Sequence, residues 1–408
     1  MEYIYLGSGF ASNIMKFLNN KNTSIRTVLI LLFVVQIILA VGITEWLSFR
    51  NGQIAVNDVA EQLRSELTTH IKDNLKHYLR APHLVNSVNR EAMISGELGT
   101  NNIKSLEYQF WRQSQLFDSV SYICFGNKEG NFIGVERRLE NELHVEVKDN
   151  TTKNYLNTYL IDNYGVRTKL LFQSNDFVPG KMPWYKAAED AGKPIWSSVN
   201  PFFTKYNLRL GITAVYPIFD GSSGALSGVL GTSLILEDIN SFLKSLIVGS
   251  TGKTFIMERS GFLVASSTYE RLYYDNNNKI ERVKATDISE PMIQGAAKRI
   301  AKRFPNLNSI QTSYKMRFNI DGKEQLLQVT PITDAYGLDW ILAVVVPEAD
   351  FMEHININTQ KTILLILAAL LISTFIGIII TSRITKPLLD LSVDMAQIAN
   401  FKLDPEKI

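Results

Sequence analysis

Two apolar stretches bracket a long middle part of mixed pattern. VLILLFVVQIILAVGI, residues 28–43, is interrupted only by Gln36 among polar side chains, and ILLILAALLISTFIGIII, residues 363–380, carries no charge. Each approaches the ~20 apolar residues that cross ~30 Å of hydrocarbon, so both are read as transmembrane helices, over 27–47 and 361–382. Trp46 follows the first run where an interfacial aromatic belongs. Gln36 is either a hydrogen-bonding residue between helices or a tolerated polar group. Ala40-Val41-Gly42 resembles a small-residue cleavage site, which leaves a signal peptide as the alternative. The preceding tail, residues 1–26, and the apolar residues beyond that site favour a retained helix.

Between the runs the period changes twice. Val56, Val59, Leu63, Leu67, Ile71, Leu75 and Tyr78 recur at spacings of three and four with charged residues between them, which predicts a long amphipathic stalk helix over 50–80, ending near Ala81-Pro82. A less regular helical stretch covers 102–117. From Val120 short β-rich runs take over. SVSYICFG, the turn NKEG and NFIGVERR read as one hairpin; ITAVYPIFD, GSSG and ALSGVLGTSLIL read as another. LEDINSFLKSLIV is a linking helix. A second strand set follows in TFIMERSGFLVASS, TSYKMRFNIDGKEQLLQVTPI, with Asp-Gly at a hairpin position, and DWILAVVVP. YERLYYDNNNKIERVK reads as an exposed loop. The expected fold class is α+β, with two tandem antiparallel-sheet units, about 81–236 and 237–350, on the stalk helix.

After the second run, Ile384, Leu388, Leu391, Met395 and Ile398 are spaced four, three, four and three apart, and Pro387 suits the first turn of a new helix. Such a seam asks for a partner helix; lying on the membrane surface is the other reading.

Charge and composition narrow the classes. Lys and Arg number 42 against 40 Asp and Glu, a net of +2 that gives no reason to expect a nucleic-acid partner. The single cysteine, Cys124, excludes an intrachain disulfide and a cysteine zinc site. Lys16, Lys21 and Arg26 precede the first run, and Arg383 and Lys386 follow the second, so both termini are expected in the cytoplasm with residues 48–358 outside. GSTGKT, residues 249–254, lacks the first glycine of a phosphate loop and lies between a helix and a strand, so it reads as a turn. His70 and His77 share a helix face without a carboxylate or cysteine to complete a metal site. No catalytic arrangement is placed, and no metal or cofactor is expected.

GKMPWYKAAEDAGKPIWSSVNPFF, residues 180–203, gathers aromatics among Gly, Pro and Ser, an awkward composition for a helix or strand interior. Together with PWYKAA, the marks "ITAVYPIFD…GVLG" and "SRITKPLLDLS" make nearly the whole chain resemble a double Cache (dCache) sensor with PAS-like units, followed by a HAMP relay beginning at 383–408. The style is similar to the input half of bacterial adenylate or guanylate cyclases and hybrid histidine kinases. The resemblance implies an output domain after HAMP, so the sequence to Ile408 reads as a fragment or a truncated gene product. A chemoreceptor of similar layout and a ligand-free protein-binding or dimerising ectodomain stand as alternatives.

In amino-acid-binding members an Arg two residues before Trp clamps the ligand carboxylate, and an Asp in a later strand holds the amine. The corresponding positions here are Met182 and Ser233, which removes both charge-assisted contacts. The resemblance therefore implies a less charged or flatter ligand, with Trp184, Tyr185, Phe202 and Tyr216 as walls, unless Trp184 and Tyr185 only pack a core. The implied partners are a small-molecule ligand, the lipid bilayer of the inner membrane, and a second copy through the stalk and HAMP helices.

Overall fold

The computed structural model describes residues 25–138, 142–203, 208–268, 271–276, 279–351 and parts of 364–396. The chain divides into two units, residues 1–60 with 351–408, and residues 61–350. Helix α1 (Ile25–Ile94) starts in the first. Many described apolar side chains of that unit are exposed, among them Ile38, Leu39 and Ile43 from the first run and Leu364, Leu371 and Phe375 from the second. Among the described residues no helix is long and apolar enough to cross a membrane. The tail 1–24, and parts of the second apolar run and of the heptad stretch 384–398, lie outside the described residues.

In the second unit α1 corrects one expectation: it does not end at Ala81 but runs through Pro82 to Ile94. A proline inside a helix costs about 3 kcal/mol. Tertiary contacts beyond it offset that cost. Val85, Asn86 and Asn89 are fully buried. Asn86 Nδ2 donates to the Ala214 carbonyl at 2.8 Å and its Oδ1 accepts from Thr232 at 2.6 Å, while Asn89 and Gln113 exchange two amide hydrogen bonds of 2.8 Å. Helix α2 (Ile103–Leu116) starts where Asn102 accepts from the Ser105 amide, the expected capping geometry.

A large antiparallel sheet follows, from β1 (Tyr122–Asn127), β2 (Phe132–Arg137), β3 (Leu143–Lys148), β4 (Leu156–Ile161), β5 (Arg167–Ser174), β6 (Ile195–Trp196), β7 (Asn200–Phe203), β8 (Leu208–Phe219) and β9 (Leu226–Ile235). The order is β5-β4-β3-β2-β1-β9-β8-β6, with β7 also on β8. Both expected hairpins are present. One face, carrying Ile123, Phe125, Ile133, Val135, Val145 and Leu230, packs on Val85 of α1 and on Leu106 and Phe110 of α2. Helix α3 (Pro183–Ala191) belongs to the other face, and α4 (Leu236–Ser245) links to the next strands. Pro183 sits at the first helical position, where its missing N–H costs nothing, so the aromatic stretch opens as a helix despite its composition.

The second sheet, order β11-β10-β16-β15-β14, uses β10 (Lys253–Glu258), β11 (Leu263–Ser266), β14 (Tyr314–Ile320), β15 (Lys323–Thr333) and β16 (Asp339–Pro347), with α5 (Pro291–Arg303) against β10, β14 and β16. Asp321 and Gly322 both take positive φ, 49° and 81°, as a two-residue hairpin turn of the Asp-Gly type requires. The segment read as an exposed loop is instead a small hairpin, β12 (Tyr273–Asn276) and β13 (Lys279–Arg282). It is pinned by buried Leu272 and Val283 and by the Tyr273 hydroxyl donating to the Leu208 carbonyl at 2.8 Å. The 249–254 stretch is a helix-to-strand turn. Its Ser250 and Thr251 amides bind the Asp350 carboxylate, at 2.9 and 2.7 Å, which occupies the donors a phosphate would need.

Candidate functional site

Strand register decides which side chains share the sheet face that α3 covers. Tyr122 stands opposite Glu136 on one side and Ser233 on the other, and Ser233 stands opposite Thr213. One row along, Glu146, Gly134, Cys124, Gly231 and Val215 line up across β3, β2, β1, β9 and β8. Side chains in directly opposed pairs project to the same face, so these two rows form one surface.

Trp184 lies over the glycines of that surface. A Cβ on Gly231 would stand 2.9 Å from Cys124 Sγ and 3.3 Å from the Trp184 ring; one on Gly126 would stand 2.8 Å from Pro179 and 3.5 Å from Trp184. A side chain at 231 would crowd Cys124 and press slightly on the indole, while one at 126 would crowd Pro179 and only touch the indole. Trp184 is half-buried, with the Tyr185 ring 5.6 Å away and Phe132 at 6.4 Å. Phe132 meets Phe177 at 4.7 Å. Tyr185 is buried with Ala188, Val215 and Val229, and Met182 packs on that group. Burial raises the Tyr185 phenol above its ordinary value.

The polar groups of the face are mostly buried and bonded to one another. The Tyr122 hydroxyl donates to Glu146 Oε2 at 2.6 Å across the bare Gly134, and Ser233 and Thr213 hydroxyls meet at 2.9 Å. Glu136 holds Arg138 at 2.7 Å. Burial first, and then the charge of Glu146, push the Glu136 carboxyl up to about 7, against the opposing pull of Arg138. Burial raises the Tyr122 phenol and the Cys124 thiol too, each reinforced by Glu146, so Cys124 is held as a neutral thiol.

Of the residues singled out in the sequence, Met182, Trp184, Tyr185 and Ser233 occur on or over this one face. Phe202 shares the face but lies further along β8, its ring over Gly211, where a Cβ would come within 2.6 Å of it. Tyr216 does not join them. It belongs to the opposite, helix-facing side, its hydroxyl 3.3 Å from both His83 Nδ1 and Ser87 Oγ on α1. There His83 stacks on Tyr336 at 3.5 Å and meets the edge of Trp196 at 4.5 Å, while Trp196 Nε1 donates to Asp334 at 2.6 Å. The β15–β16 turn thus docks on α1 and β6. Tyr122, Glu136 and Glu146 were not foreseen; the signal available was a charged residue alternating with apolar ones in FIGVER and LHVEVK.

The family model for the Cache domain (dCache_1) matches residues 51–355. A probable methyl-accepting chemotaxis protein of Bacillus thuringiensis is 22% identical over 386 residues, covering 94% of this chain and 48% of its own length. The methyl-accepting chemotaxis protein PctB of Pseudomonas aeruginosa is 22% identical over 233 residues, covering 57% of this chain and 32% of its own. The chain therefore spans half or less of the length of these relatives. The ligand binding domain of Mlp24 with asparagine superposes with a TM-score of 0.45 at 14% identity, covering 75% of this chain and 99% of that domain.

Proposed function

The chain belongs to the Cache domain family, and on that premise we propose that it is the sensing part of a membrane receptor whose α3-covered sheet face takes a small molecule. The observation that carries this reading is Trp184, a half-buried indole laid over the bare backbone of Gly126 and Gly231. An aromatic platform beside a few convergent polar groups is the usual make-up of a small-molecule site. With Met182 and Ser233 at the positions of the ligand-clamping Arg and Asp, the ligand is recognised by shape and stacking more than by its own carboxylate.

For the output, a chemoreceptor is favoured over a cyclase or kinase. The relative aligned across 94% of the chain is a probable methyl-accepting chemotaxis protein. The apolar runs 28–43 and 363–380 would cross the membrane, supported by the exposure of Ile38, Leu39, Leu364 and Leu371. A start of HAMP at 383–408, with its 3-4 seam, would pair with a second copy. This part of the chain carries no enzymatic activity in the proposed scheme.

The test is a thermal-shift screen of the full chain in detergent against amino acids, amines, short carboxylates and heteroaromatics. At least one compound should raise the midpoint, and Trp184→Ala should fold but lose that shift, weakening affinity by about tenfold or more. A hit that binds Trp184→Ala as tightly as wild type would place the ligand elsewhere.

A further inference from the structure

Arg64 lies on the buried side of α1, one turn before Thr68, with residue exposures of 6% and 4%. Arg64 Nε and Thr68 Oγ1 are enclosed, and no hydrogen-bonding group among the described residues reaches either. The carboxylate one turn earlier, Glu61, is engaged by Lys315 of β14. Arg317, the other charge near Arg64, is positive and faces Glu324 and Glu348 at 3.8 and 3.7 Å. Burial accordingly holds the Arg64 pKa below its ordinary value, with Glu61 opposing and Arg317 adding to the effect.

The same surface is under-satisfied from the sheet side. Lys315 is opposite Gln328, so Gln328 shares the face that meets α1 through Glu61. Gln328 is 4% exposed, and its Oε1 also lacks a partner among the described residues. Its amide ends are interchangeable by a flip, so it can offer N–H as readily as oxygen. Two more strands along the row stands Thr254, fully buried, its hydroxyl again without a partner among the described residues.

A guanidinium has five N–H donors and a charge that cannot be lost, and of the Arg64 nitrogens it is Nε that is fully enclosed without a partner among the described residues. Water satisfies the donors but adds no charge. Glu61, which acts on Arg64, is shared with Lys315, so the buried charge is only partly compensated, a costly feature for a fold to hold. We propose that the interface between α1 and the second sheet holds a small anion, a halide or a short carboxylate, gripped by Arg64 and flanked by the Thr68 hydroxyl and the Gln328 amide. The site lies on a different sheet from the α3-covered face. It is independent of whether that face binds a ligand.

The experiment is thermal unfolding of the full chain in detergent at constant ionic strength, with sodium chloride or sodium acetate replacing bulky sodium gluconate. For millimolar affinity the wild-type midpoint should rise by about 4 °C on full replacement at roughly 200 mM. A rise with chloride alone or acetate alone identifies the occupant. Arg64→Met should show no rise, and in gluconate it should melt no lower than wild type. Thr68→Val and Arg64→Lys, which keep more of the native surface, should each reduce the rise without abolishing it. A wild-type midpoint indifferent to the anion, or an undiminished rise in Arg64→Met or in both milder variants, would overturn the assignment.

Discussion

Glu136 and His83 lie on either side of the nine-stranded sheet, and their burial acts on stability with opposite signs. The Glu136 carboxyl, raised from 4.5 to about 7, favours the protonated form in the fold, so its contribution is lost as pH rises from about 4.5 through 7. Burial lowers His83 from 6.5 to about 4, so its contribution is present above 6.5 and lost as pH falls toward 4. Each effect is at most about 3 kcal/mol, and between 4.5 and 6.5 they oppose each other. Urea midpoints of the wild type should therefore vary little across that window. Glu136→Gln should expose a stability that climbs with pH, and His83→Gln one that falls; matching slopes in both variants would refute the pairing of effects. Neither burial was readable in advance. An alternating strand marks Glu136 as facing away from its apolar neighbours but not as covered, and what stacks on His83 is a turn about 250 residues later in the chain.

At the scale of elements, α1 shows local signals yielding to packing. Proline chemistry argues for a stop at Ala81, yet the helix continues because Asn86 and Asn89 hold it to β8, β9 and α2. Asn86→Ala removes a second hydrogen bond from the Ala214 carbonyl and leaves the Thr232 hydroxyl without its Asn86 partner in a fully buried place, and should cost about 1–3 kcal/mol, measured by denaturant unfolding. Hydrogen exchange should then rise mainly in residues 82–94, and an unchanged stability would mean that other contacts carry the helix past Pro82. Strands with strong alternation or a decisive turn, such as β1–β2 and the Asp321-Gly322 hairpin, were legible from sequence. β3, β4, β5 and α5 were not read, although LHVEVK alternates and an Asp162–Gly165 turn joins β4 to β5. LNTYLI and RTKLLFQS have no continuous apolar run, and these strands form by joining a sheet edge that already exists.

For the whole molecule, the proposed topology makes a direct prediction. Protease added to intact spheroplasts should cut exposed loops within residues 61–350 while sparing Lys16 and Arg383. Trimming at either of those two sites instead would remove the membrane scheme but leave the Cache fold untouched. The aromatic face and the Arg64 interface both lie in the 61–350 unit, on separate surfaces of separate sheets, so loss of one site should leave the other's readout intact.

Period and punctuation alone were enough to determine that this chain is α+β, with a long helix, two sets of antiparallel strands and apolar runs at both ends. Those properties depend on neighbours within a few residues, where steric and hydrogen-bond preferences act directly. Only the tertiary structure decided that Tyr216 faces α1 while Trp184 covers glycines on the other side, and that Arg64 is buried with its Nε lacking a partner among the described residues. Such facts turn on strand register and helix rotation, where a shift of one residue reverses which face a side chain occupies, and no local pattern records that choice.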